Sequence, residues 1–237
     1  MSDEVLEFTM GDGDNDVGSK REKLKFEQGK SYRISVANWP AKDDGSFDWS
    51  KAPRFIRGYQ AYADGVGYLL TDKEGTGFQF LGVTPKEKIA TVAILWPTNS
   101  QGDVDTTRIK DNAECKVLPW IFSPDKYASL ASMHKELGLN EFDIKVKCVD
   151  TKFQKLEFTP TKGNMLRMIA EKDTSRFKYL QNAIHNVASN LPSDIGRKTT
   201  PDEVRARLAK NGGGSAPTGG RASVSSEEVD NLVDSLL

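Results

Sequence analysis

Alternating apolar and polar residues predict a β-rich body between residues 24 and 160. Tyr32, Ile34 and Val36 alternate with polar residues, which is the period of a strand with one buried face. Four further segments are rich in aromatic and β-branched residues: FIRGYQAY (55–62), FQFLGV (78–83), IATVAILW (89–96) and KVLPWIF (116–122). Turn residues separate them, so each is predicted to be a strand. Pro119 in the last of them predicts an edge or a bend.

The segment SPDKYASLASMHKELG (123–138) has the pattern of a helix. Ser123 can cap the helix, Pro124 suits its first position, and Gly138 suits its end. Apolar side chains recur at spacings of three and four, which predicts one buried face. The residues of that face are Tyr127, Leu130, Ala131, His134 and Leu137.

Two more helices are predicted towards the C-terminus. One runs from Thr174 to Ser189, with its inward positions at Phe177, Leu180, Ile184 and Val187. The other is short: the segment Thr200-Pro201-Asp202-Glu203 forms a capping box that begins a helix ending at Lys210. These helices make residues 161–210 a predicted helical extension of the β-rich body.

A predicted hairpin completes the β-rich body, with FDIKVKCV (142–149) and KFQKLEF (152–158) joined at Asp150-Thr151. Several strands, one helix and a closing hairpin follow the order of a five-stranded barrel of the OB type. The predicted fold class is therefore mainly β with helices (α+β), with an OB-like barrel over residues 20–160. A β-sandwich with a decorating helix is the alternative.

The same hairpin carries the strongest candidate chemistry. Side chains alternate between the faces of a strand, so Phe142, Ile144, Val146 and Cys148 fall on a core face with Leu156 and Phe158. The opposite face collects an aromatic ring among lysines: Lys145, Lys147, Lys152, Phe153 and Lys155, with Asp143 at its start. Lysines neutralise phosphates and an exposed ring can stack a base. An ordinary solvated strand face is the competing interpretation.

Residues 54–68 repeat this combination of basic and aromatic side chains. Arg57 and Tyr59 share one face of the predicted strand, Arg54 and Tyr62 share the other, and Tyr68 follows. At least one basic–aromatic pair is therefore predicted to be exposed. The predicted nucleic-acid-binding residues are Arg54, Arg57, Tyr59, Tyr62, Tyr68, Lys145, Lys147, Lys152, Phe153 and Lys155.

Charge is strongly segregated along a chain whose net charge is only −1. Residues 1–19 hold six acidic and no basic residues, and residues 211–237 hold four acidic residues and Arg221. The remaining segment, 20–210, has 32 basic and 24 acidic residues, a net charge of +8. A cationic body favours polyanionic partners, although a solvated surface could carry the same excess. Residues 1–19 are predicted to be a flexible acidic arm.

Enzyme, metal and membrane signatures are lacking in the sequence. It contains no P-loop, no G-x-S-x-G and no H-E-x-x-H, and its two cysteines lack the spacing of a zinc site. DGDND (12–16) resembles the start of a calcium loop, but Val17 and Lys23 stand where Gly and Glu are required. We therefore predict no catalytic residue, metal or cofactor. An acidic N-terminus and few cysteines favour a cytoplasmic protein without a signal peptide.

The last 13 residues, SSEEVDNLVDSLL (225–237), predict a partner-binding peptide. An apolar stripe recurs at helical spacing: Val229, Leu232, Val233, Leu236 and Leu237. Because so short a helix is marginal in water, we expect it to form on docking with a partner. A Gly/Ser/Pro-rich linker, residues 211–224, precedes it. The predicted contact residues are Glu227, Glu228, Asp230, Leu232, Asp234, Leu236 and Leu237.

Together these features resemble the single-stranded DNA-binding (helix-destabilising) proteins of tailed bacteriophages. The sequence likeness covers about 40 residues, from Ile121-Phe122-Ser123 through KYASLASMHKELGLNEFDIKVK to FTP (158–160). The resemblance implies an OB fold, a basic and aromatic cleft, cooperative self-association on DNA and a location in the bacterial host. It also implies that the acidic tail recruits replication and recombination proteins, a role carried over to Glu227, Glu228, Asp230, Asp234 and Leu237. Some members of this family hold a structural zinc through Cys and His residues, and this chain lacks those ligands.

The sequence thus predicts a non-enzymatic protein that binds single-stranded DNA without sequence preference. It would protect and organise single strands in replication, recombination and repair. A scaffold or adaptor whose basic surface binds an acidic protein is the alternative, and a nuclease using acidic clusters ranks third.

Overall fold

The computed structural model describes residues 5–7, 23–99, 102–110, 114–150, 155–195 and 199–211. Of the predicted linker, 211–224, only Asn211 falls within these ranges, and the predicted C-terminal peptide lies outside them. Within these ranges the strands are β1 Val5–Glu7, β2 Ser31–Val36, β3 Phe55–Ala63, β4 Gly67–Thr71, β5 Lys86–Trp96, β6 Lys116–Phe122, β7 Ile144–Cys148 and β8 Leu156–Pro160. The helices are α1 Pro124–Leu137, α2 Met165–Lys172, α3 Thr174–Ile195 and α4 Pro201–Asn211, with 3-10 helices at Thr76–Leu81 and Arg108–Lys110.

Strand β5 organises the sheet because it pairs along both of its edges. On one edge it is antiparallel to β3 through Lys86–Ala90 and to β2 through Ala93–Trp96. On the other edge it is antiparallel to β6. Strand β7 joins β2 and carries β8, whereas β4 and the parallel strand β1 pair with β3.

The fold is therefore α+β, with a mainly antiparallel sheet and several helices, as the sequence predicts. All the described strands belong to one hydrogen-bonded sheet, which argues against the two stacked sheets of a sandwich. In the part of the chain that the structure describes, no ladder joins β6 to β8. The sheet is thus open rather than clearly closed into a barrel.

Two apolar cores hold the fold together. The larger one lies between the sheet and the helices α1 to α3 and contains fully buried side chains such as Ile34, Trp96, Trp120, Leu130 and Leu180. Helix α3 packs on β3, where a Cβ on Gly58 would lie 2.4 Å from Ile195 Cγ1. Only glycine fits that contact without a shift of the helix.

A smaller core lies under the β3–β4 hairpin. It joins the hairpin to the first 3-10 helix and to α4 through Ala61, Val66, Phe78 and Val204. The predicted capping box at the start of α4 is confirmed, since Thr200 N donates to Glu203 Oε2 at 2.9 Å and Glu203 N donates to Thr200 Oγ1 at 3.3 Å.

The predicted strand at 78–83 is wrong, because Thr76–Leu81 is a 3-10 helix. Asp72 Oδ1 accepts from Thr76 N at 2.7 Å, and the backbone is left-handed at Gly75 and Gly82, with φ of 64° and 65°. These features turn the chain away from strand pairing on both sides of the 3-10 helix. Phe78 is buried, but it packs against α4 rather than against a neighbouring strand.

Other boundaries also differ from the predicted ones. Helix α3 begins at the predicted Thr174 but continues past Pro192 to Ile195. Leu137, expected on the buried face of α1, is 52% exposed. Strands β1 and β4 and helix α2 were not predicted. Helix α2 does have a local signal, because the Asn164 side chain accepts from Arg167 N as its N-cap.

A buried carboxylate joins α2 to the sheet. Asp143 accepts hydrogen bonds from Ser35 Oγ, from Arg33 Nε at 3.0 Å and from Met165 N at 3.2 Å. Trp96 Nε1 in turn donates to Ser35 Oγ at 2.8 Å. Burial raises the pKa of the Asp143 carboxyl, while the Ser35 hydrogen bond and the Arg33 charge oppose that rise. Asp143 is therefore a structural centre and not part of the exposed lysine face.

Candidate nucleic-acid interface

Two tyrosines in tilted ring contact at the β3–β4 hairpin are the most exposed aromatic side chains among the predicted site residues that the structure describes. Tyr62 and Tyr68 are register partners, and their ring centroids lie 4.7 Å apart with the ring planes at 45°. They are 48% and 67% exposed. Two rings held side by side in water offer a platform to a planar base.

The turn below this pair sets its position. Gly65 and Gly67 have φ of 75° and 81°, a left-handed backbone that glycine adopts without strain. Tyr62 Oη donates to Asp64 Oδ1 at 2.9 Å, and this hydrogen bond to a carboxylate raises the pKa of Tyr62. The phenol is therefore oriented by the turn while the ring face of Tyr68 stays open.

Two lysines lie on the same sheet face as the tyrosine pair. Lys86 is the register partner of Gln60 and Lys88 that of Gly58, and cross-strand partners share a face. Lys86 is exposed, whereas Lys88 is half-buried. Burial lowers the pKa of Lys88, and the neighbouring Lys86 lowers it further. Neither lysine was among the predicted site residues, although the two lie two residues apart at the start of β5, the spacing of side chains on one face of a strand.

The arginines predicted beside these tyrosines are placed differently. Arg57 Nε lies 2.8 Å from Glu87 Oε1, its side chain 34% exposed, and Tyr59 on the same face is partly buried. Arg54 is exposed, and its even-numbered position points to the same face as Tyr62. Eight residues of extended chain nevertheless separate the two side chains by roughly 26 Å. The structure therefore does not bring these arginines onto the rings.

The β7–β8 hairpin presents the other predicted cluster. Lys145 is half-buried, Lys147 and Lys155 are exposed, and strand alternation places all three on one face. Glu157, also exposed, is the register partner of Lys147, so this face also carries an acid. Lys152 and Phe153 lie outside the described residues.

These two clusters lie at opposite ends of the sheet. Arg33 pairs with both Lys145 and Trp96, and Trp96 is ten residues along β5 from Lys86. At the rise of a strand, ten residues span roughly 33 Å. The structure thus separates the predicted site residues into a tyrosine hairpin and a lysine hairpin.

A further basic–aromatic pair lies beside α4. The guanidinium carbon of Arg205 lies 4.9 Å from the centroid of the exposed Phe80 ring, within the range of a cation–π contact. Helix α4 ends near the tyrosine hairpin, because Asn211 Nδ2 donates to the Gly65 oxygen at 2.8 Å. The pair therefore belongs to the same small substructure as Tyr62 and Tyr68.

The described residues contain no group of three or more His, Cys, Asp or Glu side chains placed to hold a metal. His134 Nδ1 accepts from Leu139 N at 3.1 Å and so closes the end of α1. Cys115 and Cys148 are buried and are not joined in a disulfide. None of the described helices is both long and apolar enough to cross a membrane.

The predicted partner-binding residues in 227–237 lie outside the part of the chain that the structure describes. Comparison with known proteins adds no relative: no family model matches the chain, and no curated protein matches it.

Proposed function

We propose that this protein binds single-stranded DNA without sequence preference, as the phage single-stranded DNA-binding proteins that it resembles do. The observation that carries the proposal is the exposed Tyr62–Tyr68 pair, with Lys86 on the same sheet face. Rings stack bases of any identity and lysines neutralise phosphates, so this combination recognises a strand by its chemistry and not by its sequence.

The order of strands supports an OB-type barrel for the same body. With the β3–β4 hairpin counted as an insertion, β2, β5 and β6 form a meander, α1 follows, and β7 and β8 return beside β2. This order is the one expected of a partly open five-stranded Greek-key barrel, and it supports the proposal of an OB-type body. A ring contact, Trp120 to Phe158 at 5.7 Å between centroids, bridges the open side between β6 and β8.

In OB folds, oligonucleotides contact the loops after the first and the fourth strands. With β2, β5, β6, β7 and β8 taken as the five barrel strands, the connection after the first strand contains the tyrosine hairpin. The second loop joins β7 to β8 and ends at Lys155; in the sequence, the predicted Lys152 and Phe153 belong to this connection. The tyrosine pair and Lys155 therefore fall in the connections that an OB-type binder uses, whereas Lys145 and Lys147 lie on β7. We propose that one DNA strand contacts both ends of the sheet.

Fluorescence anisotropy with a labelled dT oligomer tests the proposal. Affinity for dT should exceed affinity for duplex DNA and should fall steeply with salt, because bound lysines release counterions from the strand. With four phosphate contacts, affinity should fall about 50-fold between 50 and 200 mM salt. Equal affinity for duplex, or none for either, would favour the adaptor that binds an acidic protein. Magnesium-dependent cleavage of the labelled oligomer would instead favour the hypothesis that the protein is a nuclease.

The acidic C-terminal peptide is proposed to recruit replication and recombination proteins and to compete for the DNA site. Its linker begins at Asn211, which is hydrogen-bonded to the turn of the tyrosine hairpin. A Gly/Ser-rich chain of 13 residues spans about 20 Å on average, so the peptide can reach the tyrosines.

Truncation after Asn211 should therefore tighten dT binding several-fold at low salt, because a competing polyanion is removed. Capture of host replication proteins by immobilised protein should be lost in the same variant. Anisotropy and a pull-down read the two effects separately. An unchanged dT affinity would contradict competition between the C-terminal peptide and DNA, but it would not contradict recruitment of partner proteins by that peptide.

A further inference from the structure

Two lysines of β5 continue the line of the tyrosine pair along one sheet face. Lys86 is the register partner of Gln60, and Lys88 is that of Gly58. Tyr62 lies two residues beyond Gln60 on the same face of β3, so at the rise of a strand these positions follow one another at roughly 7 Å. The face therefore carries the tyrosine pair, Lys86 and Lys88 in that order.

The carboxylates next to these lysines already have cationic partners. Glu87 lies between the two lysines in sequence, but its side chain points to the other face of β5, and its Oε1 lies 2.8 Å from Arg57 Nε. Asp125, whose charge acts on Lys88, forms an ion pair with Lys126. Neither carboxylate is therefore devoted to the two lysines, and their combined charge is available to an anion.

The ammonium groups of the two lysines also act on one another. Lys88 is half-buried, and burial together with the like charge of Lys86 lowers the pKa of Lys88, which Asp125 partly opposes. Both effects are costs of holding two cations close together where one of them is partly desolvated. An anion with more than one negative charge would offset both costs, and it would gain more from this pair than from one exposed lysine.

We propose that Lys86 and Lys88 together hold one terminal phosphate of a DNA strand, while the base next to it stacks on the tyrosine pair. A terminal phosphate carries roughly 1.5 to 2 negative charges at neutral pH and three free oxygens, whereas a phosphodiester within the strand carries one charge. Two adjacent ammonium groups match the terminal phosphate better. The inference rests on the proposed function, and it adds that the site prefers a phosphorylated end of single-stranded DNA to the interior of a strand.

Fluorescence anisotropy with short dT oligomers of one length tests this preference. The oligomers carry an internal label and end in a hydroxyl, in a phosphate at the 5′ or the 3′ end, or in the methyl ester of that phosphate. At 50 mM salt the full-length protein should bind a phosphate at one of these ends about three- to tenfold tighter than the hydroxyl form. The methyl ester keeps the phosphate but only one charge, so it should recover little of that gain.

The double variant Lys86→Met with Lys88→Met tests whether these lysines cause the gain. Methionine keeps an unbranched apolar stem, so the fold should be retained while the preference for the phosphate disappears. Lys86→Met alone, at an exposed position, should lose most of the preference. The control, Lys172→Met with Lys178→Met, removes two charges from exposed positions of α2 and α3 and should leave the preference unchanged. Thermal unfolding followed by circular dichroism checks the fold of each variant.

Three outcomes would overturn the terminal-phosphate site. Equal affinity of the wild type for all the oligomers would overturn it and leave the proposed function intact, since the lysines would then contact successive phosphodiesters. A preference that survives in the Lys86→Met/Lys88→Met variant, or that is lost equally in the control, would also overturn it alone. No binding of any dT oligomer would overturn it together with the proposed function.

Discussion

Asp143→Ala should lower the free energy of unfolding by about 3–5 kcal/mol, because removing one partner of a buried ion pair leaves the other uncompensated. The side chains of Arg33 and Asp143 are 13% and 0% exposed. The same substitution also deprives Ser35 Oγ and Met165 N of their acceptor. Urea unfolding followed by circular dichroism measures the change.

Asp202→Ala is the matched control for this substitution. Asp202 Oδ1 lies 3.0 Å from Arg205 Nη1, and both side chains are well exposed. An aspartate–arginine pair of equal length in water is worth about 0–1 kcal/mol. A similar small loss in both variants would contradict the central role of Asp143 in holding α2 to the sheet.

Replacing Tyr62 and Tyr68 together with alanine should weaken dT binding by about 5- to 150-fold. The estimate corresponds to one stacked base, worth about 1–3 kcal/mol, converted at about 1.4 kcal/mol per tenfold change. The two rings face solvent and are held by the hairpin backbone, so their removal should leave the fold unchanged. Anisotropy of a labelled dT oligomer at fixed salt measures the loss.

Two controls separate stacking from other causes. The double variant Tyr62→Phe with Tyr68→Phe keeps both rings and removes the hydrogen bond to Asp64, so it should bind dT like the wild type. Tyr179→Ala removes a tyrosine that is equally exposed, at 51%, but lies on α3. If Tyr179→Ala weakens binding as much as the hairpin variant, the tyrosine hairpin is not the stacking site.

Local chain chemistry determined most of the secondary structure. The alternation in β2, β3 and β5, the capping box of α4 and the Pro and Gly residues around α1 act between residues close in sequence. Such signals do not require knowledge of the rest of the fold. Where the local signal was ambiguous the prediction failed: aromatic content at 78–83 suggested a strand, but the flanking glycines and Asp72 wind it into a 3-10 helix.

The candidate site could be predicted only in part for the same reason. Tyr62 and Tyr68 are of a residue type that can stack a base, so the sequence could select them. The contact between their rings, however, arises from the register between β3 and β4. Lys86 joins them through a second ladder. The predicted partnership of Arg57 with an exposed ring gave way to an ion pair with Glu87, which the β3–β5 register places beside it.

The sequence by itself determined that this is an α+β protein with a basic body, acidic ends and basic–aromatic strands. Periodicity and net charge follow from the order of residues alone. Only the tertiary structure decided that the predicted contacts separate into two hairpins, that Asp143 is buried, and that Val5–Glu7 pairs with β3. Each of these depends on residues far apart in the chain, and strand pairing and helix docking, not local preference, bring such residues together.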